Sequence, residues 1–229
     1  MEVIRFNNVS KIIRDNVILR NINVFLYNNR IIGLLGPSGS GKTEMISLIM
    51  GLSSPTIGSI TVNEETPSVW CHQFVSYLPQ KVKLNLNIDL NELIDIHAEK
   101  HNDFDKKIAL HLSNILKLQL DKNILKMTKL EKQIAQFMLV MSRSCLIYIL
   151  DEPLSSADVD TRNTILKLVL DNYKSNCTII ISTSRIDGIK EIIDDAIVLK
   201  QGKIIIKGSV NNLEKRTKKD FVEIYKSRL

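Results

Sequence analysis

The sequence predicts an α/β fold with a largely parallel sheet, and three observations carry that expectation. Short apolar runs bounded by turn residues alternate with longer segments of helical period. One of those runs, IIGLL at 31–35, leads directly into a glycine-rich loop and then into a helical stretch. Between Pro79 and Arg143 the spacing is helical and no strand-like run interrupts it. At 229 residues, 44% apolar and 24% charged, the chain reads as one globular domain with room for a subdomain.

EVIRF (2–6), VILRNINVFL (17–26) and GSITVN (58–63) read as strands on either side of IIGLL in sequence. Buried strands follow at FVSYL (74–78), LIYIL (146–150), CTIIIS (177–182) and AIVLK (196–200). Gln201-Gly202 then supplies a hairpin turn into KIIIKG. Within the helical stretch Ile108, Leu112, Ile115 and Leu116 fall at i, i+4, i+7 and i+8, one face of a helix inserted between strands. Asp158 followed by VDTRNTILKLVL reads as a helix start with a capping acid.

Composition excludes several function classes. The net charge of +6 is spread along the chain, with no dense basic block interleaved with aromatics, which argues against a nucleic-acid platform. Cys71, Cys145 and Cys177 are too few and too far apart for a disulfide framework or a CxxC metal site, so a reducing, cytoplasmic setting is expected. MEVIRFNN has no apolar signal core, and no apolar run approaches the roughly 18 residues that cross a bilayer. A membrane role would have to come through a partner.

Residues 36–43 read GPSGSGKT and satisfy GxxxxGK[ST], with a strand before and the helical TEMISLIM after. A cradle for polyphosphate needs backbone N–H groups converging on one point, so Gly36, Gly39 and Gly41 lack side chains, with Pro37, Ser38 and Ser40 between them. The helix that opens at the loop adds its positive end. Lys42 is expected at the β- and γ-phosphates and Thr43 at Mg²⁺, with Glu44 following in the cofactor-binding stretch. LIYILDE at 146–152 delivers two carboxylates to the C-terminal end of a strand, the edge where open α/β sheets bind ligands. Asp151 would hold Mg²⁺ or its water, and Glu152 would polarise the water that attacks the γ-phosphate.

GPSGSGKT at 36–43, YLPQ at 77–80 and ILDEPLSSAD at 149–158 together resemble the ATP-binding subunit of ABC transporters, over nearly the whole chain. The resemblance implies a P-loop NTPase core with a mostly parallel sheet, an N-terminal antiparallel β-subdomain and an inserted α-helical subdomain. On it, 1–229 is one ATPase domain, with 1–80 and 144–229 as catalytic core and 81–143 as helical subdomain. It further implies a subunit that dimerises head to tail around two ATP molecules, at the cytoplasmic face of the membrane, and drives a separate transmembrane permease subunit. Importers and exporters share these motifs, and export is the expected direction only from the general look of a stand-alone subunit. Gln80 matches the glutamine that senses Mg²⁺ and the attacking water. Ser155, Ser156, Ala157 and Asp158 align with the loop that crosses the dimer interface.

Three positions depart from the family's pattern. Twenty residues before Asp151, the LSGGQ signature falls on MTKLE at 127–131. Thr128 keeps a hydroxyl and Glu131 stands at the glutamine position, yet Lys129 and Leu130 put side chains where bare backbone should approach the partner's ATP. Thr183-Ser184 stands where the family has Thr-His, and serine is too short to span the gap to the γ-phosphate. Ile13 aligns near the aromatic that stacks on adenine and offers apolar cover with less stacking energy. The parts that bind ATP·Mg²⁺ are kept and the parts that finish catalysis across a dimer are eroded. Weak turnover alone and a heterodimer with a more complete ATPase are therefore expected, a homodimer being the alternative.

Other readings carry less. His97 and His101 in HAEKH lack the HExxH order of a zinc protease and read as solvated histidines on a Lys/Glu-rich helix. Trp70, Cys71 and His72 read as packing and loop residues, and EKRTKKDFVEIYKSR as a solvated helix. Leu84, Leu86, Ile88 and Leu93 either dock a membrane partner or form the core of the insert. Competing functions are a regulatory ATP-binding module with little turnover, a soluble ATPase of the same superfamily, and a small-molecule kinase. The last is set against by the roughly 35 residues that precede the loop and by sparse arginines.

Overall fold

The computed structural model describes residues 1–153, 157–171 and 176–229. Among the described residues two sheets and seven α-helices build it, in the order β1 (Glu2–Ile13), β2 (Asn16–Tyr27), β3 (Arg30–Leu35), α1 (Lys42–Ile49), β4 (Ile57–Val62), β5 (Val75–Leu78), α2 (Leu90–Lys100), α3 (Lys106–Ile115), α4 (Lys129–Met141), β6 (Ile147–Asp151), α5 (Val159–Asp171), β7 (Thr178–Thr183), β8 (Asp195–Lys200), β9 (Lys203–Ser209), α6 (Val210–Thr217) and α7 (Phe221–Arg228). The larger sheet runs β5-β6-β7-β3-β8-β9, with β5, β6, β7, β3 and β8 parallel and β9 returning antiparallel to β8. The smaller sheet is antiparallel, β2-β1-β4.

The middle positions of the parallel strands are mostly apolar because both faces are covered. In β3, Ile31 and Leu35 face the helices while Ile32 and Leu34 face α1 and the small sheet. β6 alternates in the same way, with Tyr148 and Leu150 on the first side and Ile147 and Ile149 on the second. The sheet therefore carries two cores, one on each face, and its C-terminal edge is left to the loops.

The first strand is longer than EVIRF: β1 continues to Ile13 through irregular register, with Asn8 at φ 50°. Its second half, NNVSKII, has too few apolar residues to announce a strand, and pairing with β2 and β4 rather than propensity holds it. The hairpin turn at Gln201-Gly202 has φ of 49° and 75°, as a tight turn between right-twisted strands needs. A Cβ on Gly202 would lie 2.4 Å from the Ile18 carbonyl, so no larger residue fits. The Gly202 carbonyl accepts from Arg20 N at 2.8 Å and its N–H donates to the Ser40 carbonyl at 3.0 Å, joining both sheets to the glycine-rich loop.

Helices α2, α3 and α4 lie between β5 and β6 in the chain, and Ala109 and Leu112 of α3 are fully buried. Two further expectations change. His97 and His101 are half-buried rather than solvated, their rings 6.1 Å apart, with Phe104 6.0 Å from His97. The C-terminal stretch is amphipathic rather than simply solvated, since Phe221 and Tyr225 of α7 are buried in the helical-side core. Arg143 pins α4 to the sheet: it pairs with Asp103 at 3.1 Å and donates to the carbonyls of His72 at 3.0 Å and Val75 at 3.3 Å. Among the described residues no helix is long and apolar enough to cross a membrane.

Candidate functional site

Strand β3 ends at Leu35, and residues 36–41 fold back so that α1 opens at Lys42. The reversal needs glycine at two crowded points. At Gly36 a Cβ would meet the Leu199 carbonyl at 2.2 Å, and at Gly41, φ 109°, it would meet Leu19 Cδ2 at 2.7 Å. The loop walls a cleft of about 350 Å³ with Ile13, Ile18, Ser38, Gly39, Gly41, Lys42, Thr43, Glu44, Gln80, Asp151 and Glu152 on its sides. One cleft thus unites Ser38, Gly39, Gly41, Lys42, Thr43 and Glu44 with Asp151 and Glu152 at the end of β6, Gln80 after β5, and Ile13 at the tip of the β1–β2 hairpin, whereas Gly36, Pro37 and Ser40 do not line it. Ile18 was not anticipated: it sits within a strand, where nothing local marks it as facing a ligand.

Lys42 is 7% exposed, and its ammonium donates to the Gly36 carbonyl at 2.7 Å and the Pro37 carbonyl at 3.2 Å, with Glu152 Oε1 at 3.9 Å. Burial lowers its pKa, opposed by the nearby Glu152 and Asp151 charges. Asp151 is 2% exposed, and burial with the neighbouring Glu152 raises its carboxyl. Ser40 Oγ is buried inside the loop with no hydrogen-bond partner among the described residues. A buried ammonium spread over two backbone carbonyls fits an anionic ligand that brings its own oxygen atoms. Two acidic side chains and the Thr43 hydroxyl in the same cleft are a hard, all-oxygen donor set of the kind Mg²⁺ takes. Among the described residues no group of three or more His, Cys, Asp or Glu is placed to hold a metal ion by itself, so a cation here would lean on the hydroxyl and on ligand oxygens.

Glu152 sits at φ 49°, left-handed backbone that a non-glycine residue adopts under constraint. Its N–H donates to the Ser182 carbonyl at 2.8 Å, which fixes the turn. Both carboxylate oxygens are held by the end of β7 and the residue that follows it: Thr183 Oγ1 donates to Oε2 at 3.0 Å and Ser184 N–H donates to Oε1 at 2.8 Å. The serine side chain takes no part in this clamp, and Thr183 does what sequence reasoning did not assign to it. Gln133 of α4, 5% exposed, reaches the Glu152 carbonyl at 3.5 Å.

Thr128, Lys129, Leu130 and Glu131 lie outside the cleft lining. They start α4 with a capping box: Thr128 Oγ1 accepts from Glu131 N at 3.2 Å, and Glu131 Oε2 accepts from Thr128 N at 2.7 Å. Glu131 also binds Lys122 at 2.7 Å. The T-x-x-E spacing is the signal that could have revealed this. Asp158 caps α5, accepting from Thr161 N at 2.8 Å, while Ser155 and Ser156 lie outside the described residues.

A second hollow, of about 550 Å³, opens between α2, α4 and β5, with Met50, Leu84, Leu139 and Val140 among its apolar walls and His72, His97, His101, Lys100 and Arg143 around them. Of the apolar residues expected to dock a partner, Leu93 is core at 1% exposed, Leu84 and Ile88 pack against the core, and Leu86 is 45% exposed.

The fold and the cleft define an ATP-binding cassette, and comparison with known proteins agrees. The ABC transporter family model matches residues 19–155, and the chain belongs to that family as an ATP-binding subunit. It is 27% identical over 216 residues to an uncharacterised ABC transporter ATP-binding protein of Methanocaldococcus jannaschii, covering 92% of this chain and 79% of that protein. It is 31% identical over 192 residues to the zinc import ATP-binding protein ZnuC of Wolbachia pipientis wMel, covering 80% and 73%. Among solved structures, an ATP-binding subunit of an ABC transporter superposes with a TM-score of 0.85 at 18% identity, over 98% of both chains. A dimeric ATP-binding cassette with bound ADP and Pi superposes with a TM-score of 0.78 at 19% identity, over 90% of this chain and 98% of that one. Proteins of this family are in general ATPases.

Proposed function

We propose that this chain is a nucleotide-driven motor subunit that binds ATP·Mg²⁺ in the cleft at 36–43 and turns it over slowly on its own. The observation that carries this reading is the meeting of Lys42, Thr43, Gln80, Asp151 and Glu152 in one cleft, with Glu152 already oriented by Thr183 and Ser184. Backbone N–H groups of 36–43 and the start of α1 would hold the phosphates, and Lys42 would exchange its two carbonyl partners for phosphate oxygens. Thr43 and Asp151 would hold Mg²⁺, with Gln80 beside them; the ion, when bound, neutralises phosphate charge. Glu152 would orient the attacking water and take its proton. Ile13 and Ile18 would cover the base.

Residues 1–80 and 144–229 form the catalytic core in this reading, and 81–143 the helical subdomain, whose hollow facing β5 receives a transmembrane permease subunit at the cytoplasmic side of the membrane. Export stays the proposed direction, and it stands opposite to the zinc import named for one relative; transport into or out of vesicles by the reconstituted complex decides it. The partner ATPase is a second, more complete subunit, since Lys129 and Leu130 occupy the signature turn and no side chain at 184 reaches Glu152. No nucleic acid takes part.

The test is ATP affinity beside steady-state Mg²⁺-ATPase of the purified chain, its Glu152→Gln variant and its Ser184→His variant. Tight binding with slow turnover, abolished in Glu152→Gln and raised in Ser184→His, is expected. Rapid turnover by the chain alone overturns the proposed weakness. The alternative, an ATP-binding regulator without turnover, is favoured by the capping box that makes the signature turn a plain helix start, and it is the outcome if Ser184→His leaves turnover at background.

A further inference from the structure

We propose that Lys11 and Ser53 form a charge restraint on Glu44, holding its carboxylate off the phosphates of a bound nucleoside triphosphate, so that nucleotide affinity depends on two residues that do not line the cleft. The inference rests on the reading of that cleft as the nucleotide site.

Glu44 is the third residue of α1 and lines the cleft beside Lys42 and Thr43. A carboxylate in the first turn of a helix and a phosphate at the helix start draw on the same partial positive charge. Two anions there repel each other in a partly buried site, where solvent screens them poorly. The structure keeps the carboxylate occupied elsewhere. Its Oε1 accepts from Ser53 Oγ at 2.6 Å and lies 3.9 Å from Lys11 Nζ, with the Lys11 and Glu44 side chains only 15% and 17% exposed.

Lys11 is itself fixed, because its ammonium donates to the Ser54 carbonyl at 2.7 Å. Three segments meet in this contact: β1, two residues before Ile13; α1; and the turn that follows α1. The loop carrying Ser53 is anchored in turn by Ser53 N to the Ser47 carbonyl at 3.3 Å, and on its far side Ile12 N donates to Thr56 Oγ1 at 3.0 Å. The restraint is therefore built into the junction of the small sheet with the phosphate-loop helix.

The experiment measures the affinity of the full chain for a fluorescent ATP analogue with Mg²⁺, at low and at 0.5 M salt. The variants are Lys11→Met and Ser53→Ala, each alone and combined with Glu44→Gln. Expected is a loss of roughly tenfold for Lys11→Met and a smaller one for Ser53→Ala, both largely kept at high salt because the site is partly buried, and both absent in the Glu44→Gln background. Two results overturn the restraint: affinity unchanged in both single variants, or an equal loss with and without the Glu44→Gln substitution, which would make Lys11 a direct ligand contact. Far-UV circular dichroism and thermal melting confirm that each variant is folded, and Ser53→Ala carries the test if Lys11→Met is not. Absence of binding by the wild-type chain would instead overturn the nucleotide reading of the cleft, a different failure.

Discussion

The Glu152 carboxylate is held at both oxygens, by one hydroxyl and one backbone N–H. Of the two, only the hydroxyl can be removed by substitution. Thr183→Val should therefore lower kcat roughly tenfold with little change in KM, and Thr183→Ser should restore it; steady-state kinetics with the most active form of the complex checks this. Lys42→Ala should abolish nucleotide binding, as measured by the same fluorescent analogue, since among the cleft-lining residues Lys42 alone is cationic. At this scale the sequence was legible wherever spacing is set by backbone geometry. Lys42, Thr43, Asp151 and Glu152 were read from two short motifs and meet in one cleft. Thr183 and Lys11 were not read, because their roles arise from contacts 31 and 33 positions away in the chain (183 − 152 and 44 − 11) that leave no local pattern.

Single elements show where composition misleads. The turn MTKLE begins α4 as a reciprocal cap, so Thr128→Ala should lower stability by about 1 kcal/mol, seen as a shift of the urea midpoint at constant slope. Helix α2 looked solvated because it is rich in Lys and Glu, yet His97 packs toward Phe104 with its Nδ1 3.0 Å from the Leu93 carbonyl. Burial lowers the pKa of His97, His72 and His101, with Arg143 adding to the effect in each. A depressed histidine stabilises the fold above its unfolded value of about 6.5 and loses that contribution as pH falls through its folded value. Melting temperature should therefore drop below about pH 6.5, and His97→Gln should flatten the drop. Strand β1 shows the opposite misreading, since its polar half is extended only because two neighbours pair with it.

Across the whole molecule, the order of elements was legible because buried parallel strands read as uninterrupted apolar runs, whereas the joint between helices and sheet was not. Arg143 makes that joint with Asp103, whose carboxyl burial would raise but hydrogen bonds from Arg143 and Cys145 hold below its ordinary value of 3.8. The pair's contribution is present above that value and lost only in stronger acid. Arg143→Met should cost about 3 kcal/mol, measured by denaturant unfolding, because it leaves the Asp103 carboxylate without its cationic partner and takes the guanidinium donor from the carbonyls of His72 and Val75.

The glycine-rich loop lies in the first fifth of the chain, yet the hairpin tip at Gly202 bonds its Ser40 carbonyl, and β3 is sandwiched between β7 and β8. A ribosome delivers those supports last. The nascent chain therefore carries the glycine-rich sequence long before it carries a supported loop, and on the proposed reading of the cleft ATP would be gripped only once the C-terminal segments have joined the sheet. Folding and ligand capture would thereby be ordered in time, and a half-made subunit would be unable to sequester nucleotide.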